Sequence, residues 1–122
     1  MSYLKIESSI FKVINTSIDI IDGFIILNVE AKESSFVLFV ENTGIDFNKN
    51  QELETMCAYS RIYWEGSSFL VEQIQLKFNA YDSSRSNMHI KGKGQIKEDE
   101  EEDFCYNLDF ECTFQLPLMD SI

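Results

Sequence analysis

The chain has 122 residues, 44% of them hydrophobic, with ten Phe, five Tyr and one Trp, enough apolar mass for the core of one domain spanning residues 1–122. Its formal net charge is −11, from 10 bases and 21 acids. So negative a surface repels phosphate backbones and anionic lipid, which sets nucleic acid and membrane aside as partners and favours a basic protein or a cation.

The N-terminal MSYLKIESSIFK carries Lys5 and Glu7 and has no apolar run long enough for a signal-peptide core. The densest apolar stretch, IDIIDGFIIL, is interrupted by Asp22 and Gly23 and is too short to span a bilayer. A cytoplasmic setting is therefore expected. Three cysteines, Cys57, Cys105 and Cys112, form no C-x-x-C pair, and an odd number of thiols fits a reduced compartment.

Along the chain, apolar runs on both sides of Asp22-Gly23 predict a hairpin, because Gly accepts the positive φ of a two-residue turn. A second turn, AKESS, leads into Phe36–Val40, which is apolar on both faces and is predicted to be a central strand covered on each side. Next, Leu53, Met56, Cys57 and Trp64 fit one helical stripe, and Asn48 with Gln51 fits a capping box, predicting a short helix over residues 50–58. A strand through Arg61–Trp64 follows, closed by the turn EGSS. In the strand Leu70–Ala80, Leu70, Ile74, Leu76, Phe78 and Ala80 share a face on which Glu72 is the one misfit. MHIKGKGQIK and FCYNLDFECTFQL alternate cleanly, the first burying Met88, Ile90, Gly92, Gly94 and Ile96. The second buries the face from Phe104 through Tyr106, Leu108, Phe110, Cys112 and Phe114 to Leu116. The predicted fold is mainly β: seven to eight antiparallel strands in a sandwich or small barrel, with one short helix.

Between the last two strands lies KEDEEEDF, six consecutive acids from Glu98 to Asp103. As a hairpin, its strands must pair with residue numbers summing to an even value for their apolar faces to coincide. A sum of 200 sets Lys97 opposite Asp103, Lys91 opposite Asp109 and His89 opposite Glu111, and places Gly92 and Gly94 under Leu108 and Tyr106.

Chemistry is sparsely signalled. His89 is the only histidine, and a His–Glu pair on a strand surface is an ion pair before it is a catalytic dyad; no G-x-S-x-G is present. Gly92-Lys93-Gly94 lacks phosphate-loop spacing and sits inside a strand, so it reads as sheet packing. Cys105 and Cys112 lie about 23 Å apart along an extended strand and cannot share a metal. The acidic run has neither the spacing nor the Gly of a calcium loop. No catalytic residue, metal ligand or cofactor site is assigned.

The acids themselves remain. Residues 98–122 hold nine of them and no base, whereas keeping a hairpin from pairing with other chains needs one or two charges, not six. Asp109 and Glu111 prolong the run at about 6.7 Å spacing on the exposed face, at ~3.3 Å per strand residue. That spacing is close to the phosphate repeat of a nucleic acid strand and suits the substrate cleft of a nuclease. Glu98, Asp99, Glu100, Glu101, Glu102, Asp103, Asp109 and Glu111 are thus the candidate partner-binding residues, with Tyr106 assigned to the core. In its small size and in acids gathered at these eight positions, the chain resembles bacterial toxin-immunity proteins. The resemblance implies a non-catalytic inhibitor that binds one basic toxin domain, often a nuclease, and blocks its site. The alternatives are a small β-barrel carrying an apolar ligand, suggested by the abundance of Phe and Ile, and an oligomeric scaffold joined through sheet edges. The sequence leaves the oligomeric state open.

Overall fold

The structure, a computed structural model, describes residues 2–21, 23–41, 46–56, 60–80, 82, 87–98 and 104–115. These residues form nine strands, all paired antiparallel: β1 (Tyr3–Ile6), β2 (Ser9–Ile21), β3 (Phe24–Ala31), β4 (Ser34–Glu41), β5 (Gln51–Met56), β6 (Arg61–Trp64), β7 (Ser67–Phe78), β8 (Asn87–Lys97) and β9 (Tyr106–Gln115). Each strand of the closed ring neighbours the next, in the order β7-β6-β4-β3-β2-β1-β9-β8 and back to β7. Eight strands therefore make an up-and-down barrel, closed by a ladder between each neighbouring pair, although β6 spans only Ser34–Val37 of β4. The ninth, β5, pairs with Gln73–Phe78 of β7 on the edge whose other end, Ser67–Leu70, is taken by β6.

Alternation drives the burial. On β8, Met88, Ile90, Gly92 and Ile96 are buried, and on β9 Leu108, Phe110, Cys112 and Phe114, as the period-two pattern predicts. From opposite walls Phe36 of β4 and Phe110 of β9 meet at 4.8 Å between ring centroids, so large side chains fill the middle of the barrel.

Several expectations are corrected. Residues 51–56 form β5, not a helix, because Leu53 is drawn against the core opposite Leu76 while Glu52 and Glu54 stay exposed. Cross-strand pairing with β7 thus overrides a stripe that fitted a helix only roughly. The supposed capping box is a turn, in which Asn48 N–H donates to Asp46 Oδ1 and Gln51 Nε2 to the Asp46 carbonyl. On β7 a bulge lies between Val71 and Gln73, so the buried set passes from Phe69 and Val71 to Ile74, Leu76 and Phe78. The extra residue, Glu72, explains its apparent misfit and turns Leu70 away from the fully buried face. On β4, Phe36, Leu38 and Val40 are buried, but Val37 and Phe39 are only half-buried, Phe39 lying edge-on to Phe24. A single barrel wall covers one face of that strand, not two. Finally, β8 and β9 pair with a sum of 202, so Lys91 faces Glu111, Lys93 faces Asp109 and His89 faces Thr113, while Gly92 lies under Phe110 and Gly94 under Leu108. The parity is as expected; the shift by two gives both lysines an acid opposite them. The expected Lys97–Asp103 contact lies outside the described residues.

Because the strands alternate in direction, the β1–β2, β3–β4, β6–β7 and β8–β9 connections all lie at one end of the barrel. The predicted hairpin at Gly23 (φ 79°) turns at the other end. The turns after Ala31 and Trp64 form where AKESS and EGSS placed them.

Candidate functional site

That shared end collects acids. Besides Glu98, which is exposed where β8 ends, each of its three tight turns carries a glutamate in the left-handed region: Glu7 (φ 54°) between β1 and β2, Glu33 (φ 71°) between β3 and β4, and Glu65 (φ 51°) before Gly66 (φ 78°). Side chains other than Gly and Asn adopt this conformation at a cost of about 1 kcal/mol each. Glu65-Gly66 has positive φ at both central positions, the turn for which Asn-Gly is the favoured pair. The described part of this end thus carries Glu7, Glu33, Glu65 and Glu98, with Lys32 beside Glu33 and Lys97 beside Glu98. Glu7 is also tied down, its N–H donating to the Asn107 carbonyl and its Oε2 accepting from the Asn107 N–H at 3.0 Å. Glu65→Asn and Glu33→Gly should each raise stability by about 1 kcal/mol, read as a higher urea midpoint; a fall in either would remove the strain assigned to these turns.

Four aromatic rings stand at the same end. Trp64 and Phe69 are buried at 5.5 Å from one another, and Tyr106 packs edge-on to both, at 5.1 Å and 5.7 Å. Phe104, expected in the core, instead precedes β9 and is 58% exposed, its ring edge-on to Tyr106 at 4.9 Å. Among the described residues the β8–β9 ladder reaches Ile96–Tyr106, and Phe104 lies beyond that pair.

The eight sequence-derived acids separate into groups. Glu98 lies at the acidic end; Asp99, Glu100, Glu101, Glu102 and Asp103 fall outside the described residues; Asp109 and Glu111 lie on the barrel wall among lysines. There, two rows of directly opposed residues cross the sheet. One runs Glu52, Lys77, Lys91, Glu111, Tyr3, Lys12 and the other Glu54, Gln75, Lys93, Asp109, Lys5, Ile10. Asp109 thus has a lysine on each side, and Glu111 is held by Lys91 at 3.2 Å and by His89 Nε2 at 3.1 Å. His89 Nδ1 lies 3.3 Å from Thr113 Oγ1, completing a surface polar cluster. A groove of about 510 Å³ follows these rows, lined by Tyr3, Glu52, Glu54, Lys77, Lys93 and Asp109 among others. Its lining acids Glu52, Glu54 and Asp109 are matched by Lys77, Lys91 and Lys93, although Lys77 and Lys91 face each other.

Burial pushes the Glu111 carboxyl up, but the hydrogen bond and charge of Lys91, with His89, outweigh it and hold the group below the usual glutamate range. A depressed folded-state value means that Glu111 stabilises the fold above its unfolded value near 4.5 and that this contribution is lost as pH falls through the lower, folded value. Glu111→Gln should therefore lower the urea midpoint at pH 7 and leave it near wild type at strongly acid pH; an equal deficit at both would break the linkage. Burial, then the Asp109 and Glu111 charges, raise the Tyr3 phenol, and burial pushes the Cys112 thiol up to about 12, so this thiol stays protonated. Among the described residues no group of three His, Cys, Asp or Glu could hold a metal ion, and no helix is long and apolar enough to cross a membrane.

The sequence pointed to the run but missed Glu7, Glu33 and Glu65. Both AKESS and EGSS were legible as turns; what was not legible is that four connections share one end, which only the strand order reveals. No protein-family model, curated protein or solved structure matches the chain.

Proposed function

We propose that this chain is a non-catalytic inhibitor that docks its acidic end on a basic protein, in the manner of an immunity protein that covers the active site of a toxin domain in the cytoplasm. The observation that carries this proposal is the set of left-handed glutamates, Glu7, Glu33 and Glu65, at the end where Glu98 begins the acidic run. Like charges held close raise the energy of the free protein, and a cationic partner relieves that repulsion while the field accelerates encounter. On this reading the docking surface is the barrel end with Glu98 and the three turn glutamates, the rest of the run following Glu98 in sequence, and not Asp109 or Glu111, which have lysines opposite them.

The contact of Phe36 with Phe110 across the interior weighs against an apolar-ligand carrier, which needs open volume where these rings meet. Co-expression with basic toxin domains, nucleases among them, tests the proposal. Inhibition of one such domain and an equimolar complex that weakens steeply with salt are expected. A complex that forms without inhibiting, or that ignores salt, would contradict it.

A further inference from the structure

We infer that Phe104 is the anchor of this docking surface, an aromatic ring raised on a pedestal of three others to enter an apolar pocket rimmed by lysine or arginine on the partner. The inference rests on the acidic-end proposal and adds to it the side chain that sets residence time. Phe104 is 58% exposed, yet its ring is oriented by Tyr106, and Tyr106 by Trp64 and Phe69, which are buried. A large apolar ring fixed in this way loses little freedom on binding, which is what distinguishes an anchor from a merely exposed hydrophobe.

Its surroundings define the partner. The acidic run ends at Phe104; Trp64 is followed by Glu65 and lies opposite Ser34, next to Glu33; and the Glu7 carboxylate rests on Asn107, three residues beyond Phe104. An exposed ring at the barrel end that also carries the turn glutamates complements an apolar pocket with cationic neighbours. A second copy of this chain is disfavoured as occupant, since pairing the two ends would bring like charges together. Rim charges govern the rate of encounter, and the desolvated centre governs escape.

Trp64 is the only tryptophan, so its emission reports on the pedestal directly. Two synthetic decapeptides serve as probes, both with eight lysines, one carrying a central pair of leucines and the other a central pair of glycines. At low ionic strength the leucine peptide should bind about tenfold more tightly, the gain from burying an apolar side chain. It should alter Trp64 emission and shift the amide resonances of Tyr106 and Asn107. Phe104→Ala should abolish the preference while still binding the glycine peptide, and Phe104→Leu should retain part of it. An unchanged melting temperature in Phe104→Ala separates loss of the anchor from loss of fold. Equal binding of the two peptides at the acidic end overturns the anchor and leaves the acidic docking surface standing. No binding of either peptide, or shifts confined to the Lys77, Lys91 and Lys93 face, overturns both.

Discussion

Replacing Gly92 with alanine is expected to destabilise the barrel by about 1–3 kcal/mol, the usual cost of forcing extra volume into a packed interior. The Cβ added at Gly92 would overlap the ring of Phe110, which lies directly across the β8–β9 ladder and is itself wedged against Phe36 from the far wall. Phe110 is fully buried. Rescue distinguishes this cause from a general intolerance of β8 to substitution. In the Phe110→Leu background, Gly92→Ala should cost much less, so a double-mutant cycle should show strong coupling. Gly94→Ala provides the contrast, because its Cβ would meet the Gln73 carbonyl oxygen and Ile74 Cα, backbone atoms that truncating Phe110 does not move. Urea denaturation of the four proteins reads the cycle. A Gly92→Ala variant as stable as wild type would mean that the interior is not filled in the way the Phe36–Phe110 contact indicates, and would revive the ligand carrier.

The second large effect concerns association. Reversing Glu100, Glu101 and Glu102 to lysine should slow binding to the basic partner severalfold and flatten its dependence on salt, because the field that steers encounter is concentrated in residues 98–122. The same reversals should leave the melting temperature level or higher, since crowded like charges weaken a fold and their removal relieves it. Stopped-flow association across a range of ionic strengths separates the two consequences. An unchanged association rate would take the run out of the binding surface, and a large fall in melting temperature would give it a structural role instead.

How far the sequence disclosed this arrangement follows from the range of the interactions involved. Alternation along β8 and β9 is local, so the inward sets Met88–Ile96 and Leu108–Phe114 were readable directly, and so were the turns at Gly23, Glu33 and Glu65. Parity fixed which faces coincide in the last hairpin, but parity does not choose between sums of 200 and 202; the fit of Phe110 over Gly92 and of two lysines to two acids belongs to the folded ladder. Glu72 stood out as a misfit in a strand pattern, and a bulge is the physical meaning of that signal: one extra residue exchanges the faces beyond it. The segment Gln51–Met56 was misread because short apolar spacings fit a helix and a strand alike until β7 supplies a partner. The site was half legible. Six acids in a row are conspicuous in any sequence, but Glu7, Glu33 and Glu65 lie far apart along the chain and reach one end of the barrel only through the up-and-down order of the strands. Asp109 and Glu111 looked like part of the same surface until register placed Lys5, Lys91 and Lys93 beside them.

The proposed docking requires negative potential to be concentrated at one end of the barrel and open to solvent. Paramagnetic relaxation of backbone amides by a cationic nitroxide, taken as a ratio to that by a neutral nitroxide of the same shape, measures local potential residue by residue without any partner. The ratio should be largest at Glu7, Glu33, Glu65 and Asn107, and near unity at Lys77, Lys91 and Lys93 on the wall. A uniform ratio around the molecule, or a maximum on the lysine-bearing wall, would contradict the proposal.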